Sequence, residues 1–140
     1  MPIWALLVGA MVLSAGTAHA DERLRIDAHG RAEASAADVH DGLVYAATQR
    51  VKVVCPAGGD YVVKARITQA SGARSIAANH GFTCTGHPQH LEMRLSLGPS
   101  ASSAPIQLGQ DATRSLALVS LVGGPGAEDL DTTRVIIDRH

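Results

Sequence analysis

Aromatic residues are scarce in this chain, making up 3% of its 140 residues. Beyond residue 20 only Tyr45, Tyr61 and Phe82 occur, and tryptophan is absent there. Proteins that bind nucleic-acid bases commonly stack them on exposed aromatic rings. Tyr45 and Tyr61 fall at positions that we predict to face the core. The scarcity of aromatic residues therefore argues against a surface that stacks bases, and it also makes a sugar-binding function a weaker hypothesis.

Net charge is also nearly absent. The chain has 12 Lys and Arg against 13 Asp and Glu, which gives a formal charge of −1 at pH 7. Proteins that bind nucleic acid usually carry a strongly basic patch. The near-neutral balance argues against nucleic acid as a partner, and equally against an anionic membrane surface.

The first twenty residues have the layout of a secretory signal peptide. An apolar run over residues 3–13 is followed by small residues and an A-x-A motif ending at Ala20, before the charged residue Asp21. No Lys or Arg precedes the run, which departs from the usual pattern. The run is also shorter than the roughly 20 residues that a membrane span needs. We expect a signal peptide over residues 1–20, cleavage between Ala20 and Asp21, and one secreted domain over residues 21–140 without a membrane span.

Helical periodicity is missing as well, since no 3.6-residue repeat persists for the three turns of a stable helix. Apolar and polar residues alternate instead over residues 42–55 and 60–69. Side chains on a strand point to opposite faces in turn, so these runs predict two strands with an apolar inner face. The predicted inward sets are Leu43, Tyr45, Ala47, Val51, Val53 and Cys55, and then Tyr61, Val63, Ala65 and Ile67.

Weaker alternation predicts further strands, separated by turns rich in Gly and Pro. They cover residues 23–27, 31–37 as an edge strand after a turn at 28–30, 76–84, 90–97, 106–122 as one strand or two split near Gly109, and 132–138. About seven short strands describe an all-β, antiparallel two-sheet sandwich. We expect an immunoglobulin-like architecture, although the tryptophan that packs on the disulfide in immunoglobulins is missing.

Only two cysteines are present, Cys55 and Cys84. In an exported chain two cysteines are expected to pair, and both fall on predicted inward positions. A loop of about 30 residues gives a stabilisation of roughly 3–4 kcal/mol in the chain-entropy model. The alternative, a reactive redox pair, has no C-x-x-C motif behind it. We therefore predict one structural disulfide.

These cysteines belong to a longer pattern: Val-Lys-Val-Val-Cys-Pro-Ala-Gly at 51–58, Gln69 at a strand end, Cys-Thr-Gly at 84–86, and His90. The pattern resembles a family of small secreted actinobacterial β-sandwich proteins with a Cys-Pro-x-Gly … Cys-x-Gly framework and a Gly-x-x-Ala element, here at 109–112. The resemblance implies one disulfide and a fold without assigned activity or catalytic residues. The chain departs from the family at 91–93, where many relatives have a tryptophan.

Histidines form the sharpest chemical candidate. His80, His87 and His90 lie within eleven residues of one another, and imidazole nitrogens are common ligands of zinc and copper. A metal site needs three or four converging ligands, and a disulfide-bonded Cys84 cannot supply a thiolate. The alternative is that all three are solvated histidines. We expect no metal and no other cofactor.

Catalytic motifs are not evident. Ser100, Ser102 and Ser103 lie in a loop flanked by Gly and Pro, and no G-x-S-x-G elbow occurs. The sequence therefore predicts a non-catalytic, monomeric binding or interaction module of unknown function. Its partner would be an unidentified protein or small molecule, bound by loops at one end of the fold. The alternatives are a small-molecule carrier resembling the antitumour chromoprotein apoproteins and a histidine metal-binding protein.

Overall fold

The computed structural model describes residues 24–99, 103–109, 114–123 and 128–139. The predicted signal peptide and its cleavage point at Ala20 and Asp21 lie outside these residues. The described chain is all-β, with short 3-10 helices at Ala36–Asp38 and Ala70–Gly72. Its strands are β1 (Arg25–Ala34), β2 (Val39–His40), β3 (Leu43–Val44), β4 (Ala46–Val54), β5 (Asp60–Gln69), β6 (Arg74–Thr83), β7 (Gln89–Ser96), β8 (Ile106–Gln107), β9 (Leu116–Val122), β10 (Glu128–Arg134) and β11 (Ile136–Arg139). None of the helices found there is long and apolar enough to cross a membrane.

Eight strands form one large sheet in the order β10-β9-β5-β6-β7-β4-β1-β11, and β2, β3 and β8 form a small one. Only one residue pair, Ala77 with Ser96, joins β6 to β7. The large sheet thus divides into a β5 half (β10, β9, β5, β6) and a β4 half (β7, β4, β1, β11). The strands at its two ends, β10 and β11, are separated in sequence only by Val135. The sheet therefore comes close to a closed barrel, and the topology does not establish the predicted immunoglobulin-like sandwich.

Strand β1 differs from its prediction. The segment 31–37 was expected at a sheet edge, but residues 31–34 lie inside the sheet, antiparallel to β4 and parallel to β11. The predicted turn at 28–30 is a β-bulge within the same strand, where the register to β4 shifts between Ala28 and Ala32. A bulge bends a strand without ending it, and local Gly and His residues do not distinguish this bend from a turn.

The final segment was predicted as one strand over residues 132–138. It consists instead of parts of two strands separated by Val135, which form opposite ends of the large sheet: β10 pairs with β9, and β11 pairs with β1. The predicted inward position Ile137 is buried. The segment 106–122 consists of two strands, β8 and β9, which is the second of the two predicted alternatives.

The alternating strands build most of the core as predicted, although Leu43 and Tyr61 are only half-buried. Val51, Val53, Val63 and Ile67 are each at most 2% exposed. Tyr45, however, is 37% exposed, and its ring packs edge-on against His40. The chain bends at Tyr45 between β3 and β4, so Val44, Ala46 and Ala47 are buried and the alternation of the first run is broken there.

The predicted disulfide is present, between Cys55 after β4 and Cys84 after β6. Both cysteines are at most 2% exposed. Because β4 and β6 belong to different halves of the large sheet, the disulfide ties the halves together beside the place where β6 and β7 separate.

A second junction between the halves is closed by side chains. Strand β10 runs beside the start of β1, and Oδ2 of Asp129 and of Asp131 each accept a hydrogen bond, 2.9 Å long, from the backbone N–H of Ile26 and of Ala28 respectively. These carboxylates satisfy backbone donors that no neighbouring strand reaches. This role is not evident from local sequence, because exposed acidic residues are ordinarily solvated.

Candidate functional site

The outer surface of the β4 half carries a groove of about 690 Å³. We call it the polar groove. Its charged and titratable lining residues are Asp27, His29, Arg50, Lys52, His90 and Glu92, and all six are exposed. The central strand β4 supplies both permanent cations, and the flanking strands β1 and β7 supply the acids and the histidines.

Lys52 lies at the centre of this groove. It pairs in register with Asp27 on β1 and with His90 on β7, and directly opposed side chains have Cβ atoms about 5 Å apart. Nevertheless Lys52 forms no ion pair with any part of the chain that the structure describes. In the neighbouring row, Nε of Arg50 lies 3.3 Å from Oε2 of Glu92. The row through Lys52 therefore offers an ammonium group between a carboxylate and an imidazole.

Beneath the polar groove lies Gln49, a fully buried residue on β4. Its Nε2 donates hydrogen bonds to the backbone oxygens of His29 (2.7 Å) and Arg50 (3.1 Å), which fixes the β1 bulge against β4. Its Oε1 has no partner among the described residues. Gln49 was not predicted to belong to a site, although a Gln on the inward parity between Ala47 and Val51 was a signal.

A second groove, of about 540 Å³, lies on the outer surface of the β5 half. We call it the leucine groove and define it by Lys64, Arg66, Leu118, Ser120 and Leu130. Here too the central strand, β5, supplies two cations, but β9 supplies apolar and small residues, and β10 supplies Leu130, Asp131 and Thr132. Neither groove was predicted, because each combines side chains from strands that are distant in sequence.

The three histidines singled out in the sequence occupy different surroundings. His80 on β6 stacks on Phe82, with ring centroids 6.4 Å apart and planes 4° apart. His87 lies in the exposed turn before β7, and His90 lines the polar groove. Over the described ranges, no group of three or more His, Cys, Asp or Glu side chains is placed to hold a metal ion.

The Cys-Pro-x-Gly … Cys-x-Gly framework is placed around the disulfide. The N–H of Gly58 donates to the carbonyl of Cys84 (2.8 Å), and the N–H of Cys84 donates to the carbonyl of Gly59 (2.9 Å). Gly58 and Gly86 both have positive φ, at 85° and 88°, a conformation that favours glycine. The framework residues therefore shape two packed loops and present no reactive group.

Gln69, the glutamine of the same pattern, is 1% exposed. Its side-chain amide imitates a strand backbone: Nε2 donates to the carbonyl of Gln107 (2.9 Å), and Oε1 accepts from the N–H of Gln107 (2.6 Å). Nε2 also donates to Oγ of Ser115 (2.8 Å). Gln69 thereby fastens β8 to the end of β5, so its role is structural.

The strongest electrostatic perturbation lies outside both grooves. Asp38, 6% exposed, accepts hydrogen bonds from both terminal nitrogens of Arg94, one of them 2.9 Å long. The Arg94 guanidinium holds the pKa of this carboxyl well below its usual range, and hydrogen bonds from Ser35 act in the same direction against the effect of burial. Because Asp38 caps a 3-10 helix and is buried by its partners, this pair stabilises the fold and does not suit a proton-transfer role.

The comparisons with known proteins add no family. No protein-family model matches the chain, and no curated protein matches it. The candidate site therefore depends on the geometry of the two grooves.

Proposed function

We propose that the protein is an exported, monomeric and non-catalytic binding module, and that its polar groove binds a ligand carrying both a cationic and an anionic group, such as a peptide segment. The observation that carries the proposal is the row Asp27, Lys52 and His90, where Lys52 lies directly opposite both other residues and forms no ion pair among the described residues. In this proposal the two halves of the large sheet act as the two layers of the predicted immunoglobulin-like sandwich.

The chemistry follows from the spacing of the strands. Neighbouring strands lie about 4.8 Å apart, so Asp27 and His90 stand roughly 10 Å from each other across Lys52. A ligand ammonium group would bind beside Asp27, and a ligand carboxylate would bind Lys52 and His90. Exposed ion pairs contribute at most about 1 kcal/mol each. We therefore expect weak affinity, with a Kd of roughly 1 mM for a small ligand.

Export is supported by two features. The sequence has the layout of a signal peptide ahead of Asp21, and the disulfide Cys55–Cys84 is of the kind that persists in oxidising compartments. Secretion is tested by the N-terminus and mass of the protein recovered from the culture medium of its host. A chain that begins at Asp21 and lacks two hydrogens supports it, and a chain found only inside the cell contradicts it.

The binding proposal is tested by NMR titration of the folded chain with a lysyl-glutamate dipeptide. We expect the largest shift changes at Asp27, Lys52 and His90, and loss of these changes in Asp27→Asn and Lys52→Gln. Lys64→Gln, which changes a residue outside the lining of the polar groove, is the matched control and should bind normally. Binding that survives both groove substitutions overturns the proposal, as does a metal ion retained by protein from its own host.

A further inference from the structure

We propose that the leucine groove is a second binding site, independent of the polar groove, and that it takes a single-chain anionic amphiphile such as a medium-chain fatty acid. The groove brings unusually exposed leucines beside two cations that are not neutralised. Leu130 is 66% exposed and Leu118 is 40% exposed, and an apolar surface of this kind marks a contact site when it is contiguous.

The pairing register places these residues side by side. Ser120 on β9 pairs with Leu130 on β10 and with Lys64 on β5. In the next outward row, Leu118 pairs with Arg66. Ser120 is thus a small residue surrounded by larger ones, and it forms a floor on which an alkyl chain can lie. The two leucines form the apolar end of the groove, and the two cations form its charged end.

The charges of the groove fit an anion. Lys64 and Arg66 form no ion pair within the described parts of the chain. The nearest acid is Asp131, but its Oδ2 accepts hydrogen bonds from the N–H of Ala28 (2.9 Å) and the hydroxyl of Thr133 (3.1 Å), so it is engaged at the junction with β1. Glu128 lies one row further along β10, opposite Val122. A carboxylate over β5 therefore meets two cations, while Asp131, the acid that lines the groove, lies on β10, two strands away.

Both the size and the charge of this surface favour a free amphiphile over a lipid bilayer. From β5 to β10 the groove spans two strand spacings, about 10 Å, which suits an alkyl chain of medium length. Attachment to an anionic membrane grows with the number of basic residues and with the buried apolar area. Two cations and two leucines are few, and the chain as a whole carries a charge of −1.

The test is a calorimetric titration of the intact chain with decanoate below its micelle-forming concentration. We expect decanoate to bind, acetate not to bind because it lacks the alkyl chain, and decyltrimethylammonium not to bind because its head group is cationic. The double variant Lys64→Gln/Arg66→Gln should bind decanoate about tenfold more weakly, since charge-assisted hydrogen bonds are lost. Lys52→Gln, in the polar groove, is the matched control and should bind as the unaltered chain does.

Two further variants test the apolar end of the groove. Ser120→Leu fills the floor and should abolish binding. Leu130→Ser removes apolar area at an exposed position and should weaken binding roughly tenfold. It therefore tests the apolar end of the groove even if Ser120→Leu does not fold. Equal binding of the cationic amphiphile, or undiminished decanoate binding by the double variant, overturns the proposal. Binding to phosphatidylglycerol vesicles that the same variants abolish also overturns it, because the face would then be a membrane surface.

Discussion

The two outer faces of the large sheet start from the same arrangement and end with different chemistry. In each half, the central strand presents two cations separated by one residue: Arg50 and Lys52 on β4, and Lys64 and Arg66 on β5. On the β4 half the flanking strands oppose these cations with acids and histidines. On the β5 half they oppose them with leucine, serine, alanine and asparagine. The neighbours of a cation, more than the cation itself, decide which ligand a sheet face can bind.

The ion pairs divide in the same way. All three found among the described residues lie in or beside the β4 half: Arg31 with Asp138, Arg50 with Glu92, and Arg94 with Asp38. The described residues of the β5 half contain none. The β4 half should therefore respond to pH and salt, and the β5 half should depend mainly on apolar packing.

The largest effect should come from the disulfide, which joins the two halves. In Cys55→Ala/Cys84→Ala the closed loop, with a sequence separation of 29, is released, and we expect a loss of about 3 kcal/mol in the free energy of unfolding. Urea denaturation measures it, with single-cysteine variants as controls. If the halves form one cooperative unit, both grooves are lost in a single transition. Separate transitions for the two faces would contradict this.

Two buried glutamines, one in each half, provide the next test. Gln69→Leu in the β5 half leaves the N–H and carbonyl of Gln107 without their partner, and should cost about 2–3 kcal/mol. Gln49→Leu in the β4 half also loses hydrogen bonds. The loss is partly offset, because the substitution also removes a buried side-chain oxygen that has no partner among the described residues. We expect a cost of about 1 kcal/mol or less there. Equal losses in urea denaturation would show that the oxygen of Gln49 has a partner.

Acid should act through the β4 half. The folded-state pKa of Asp38 lies below the unfolded-state value because Arg94 donates to the carboxylate. The ionised carboxylate therefore stabilises the fold above about pH 4, and this stabilisation is lost as the pH falls through and below that value. At pH 7 we expect Asp38→Asn to lose about 1–2 kcal/mol of stability.

The pH dependence of that difference is the decisive measurement. The difference in thermal stability between the unaltered chain and Asp38→Asn should be constant above about pH 5 and should shrink progressively as the pH falls from about 5 to 2, because the unfolded-state carboxyl is protonated first. Glu92→Gln serves as the control, since its ion pair is exposed on both sides and its loss should change stability little. A constant difference over this range would show that the ionisation of Asp38 does not contribute.

Sequence patterns were sufficient for features that depend on neighbours along the chain. The alternation in β4 and β5 and the pairing of Cys55 with Cys84 follow from local parity and from the cysteine count. Whether β1 lies at an edge depends on β11, more than a hundred residues later, and no local pattern encodes that pairing. The grooves likewise depend on pairing between distant strands, since Lys64 and Leu130 are brought together only by Ser120 on the strand between them.

The exposure of Tyr45 shows a second limit. Tyr45 was predicted to face the core, but the chain bends at this residue between β3 and β4, and the bend shifts the alternation, so the inward prediction is wrong here. Buried polar residues are also difficult to predict from sequence, for a related reason. Gln49 and Gln69 both occupy inward positions, and a polar residue on an inward position is read from sequence as an interruption of the pattern.

The smallest expected effect is the change in stability when one exposed arginine is removed from each groove. Arg50→Gln removes an exposed ion pair with Glu92, whose two side chains are 58% and 66% exposed, and should cost at most about 0.5 kcal/mol. Arg66→Gln removes a cation without a paired acid among the described residues, and should leave stability unchanged within about 0.5 kcal/mol. The small difference between them should disappear in about 1 M salt, where exposed charges are screened. If Arg66→Gln were instead the more destabilising change, Arg66 would have a partner in the folded chain, and the two faces would not differ in the way that their ligand preferences require.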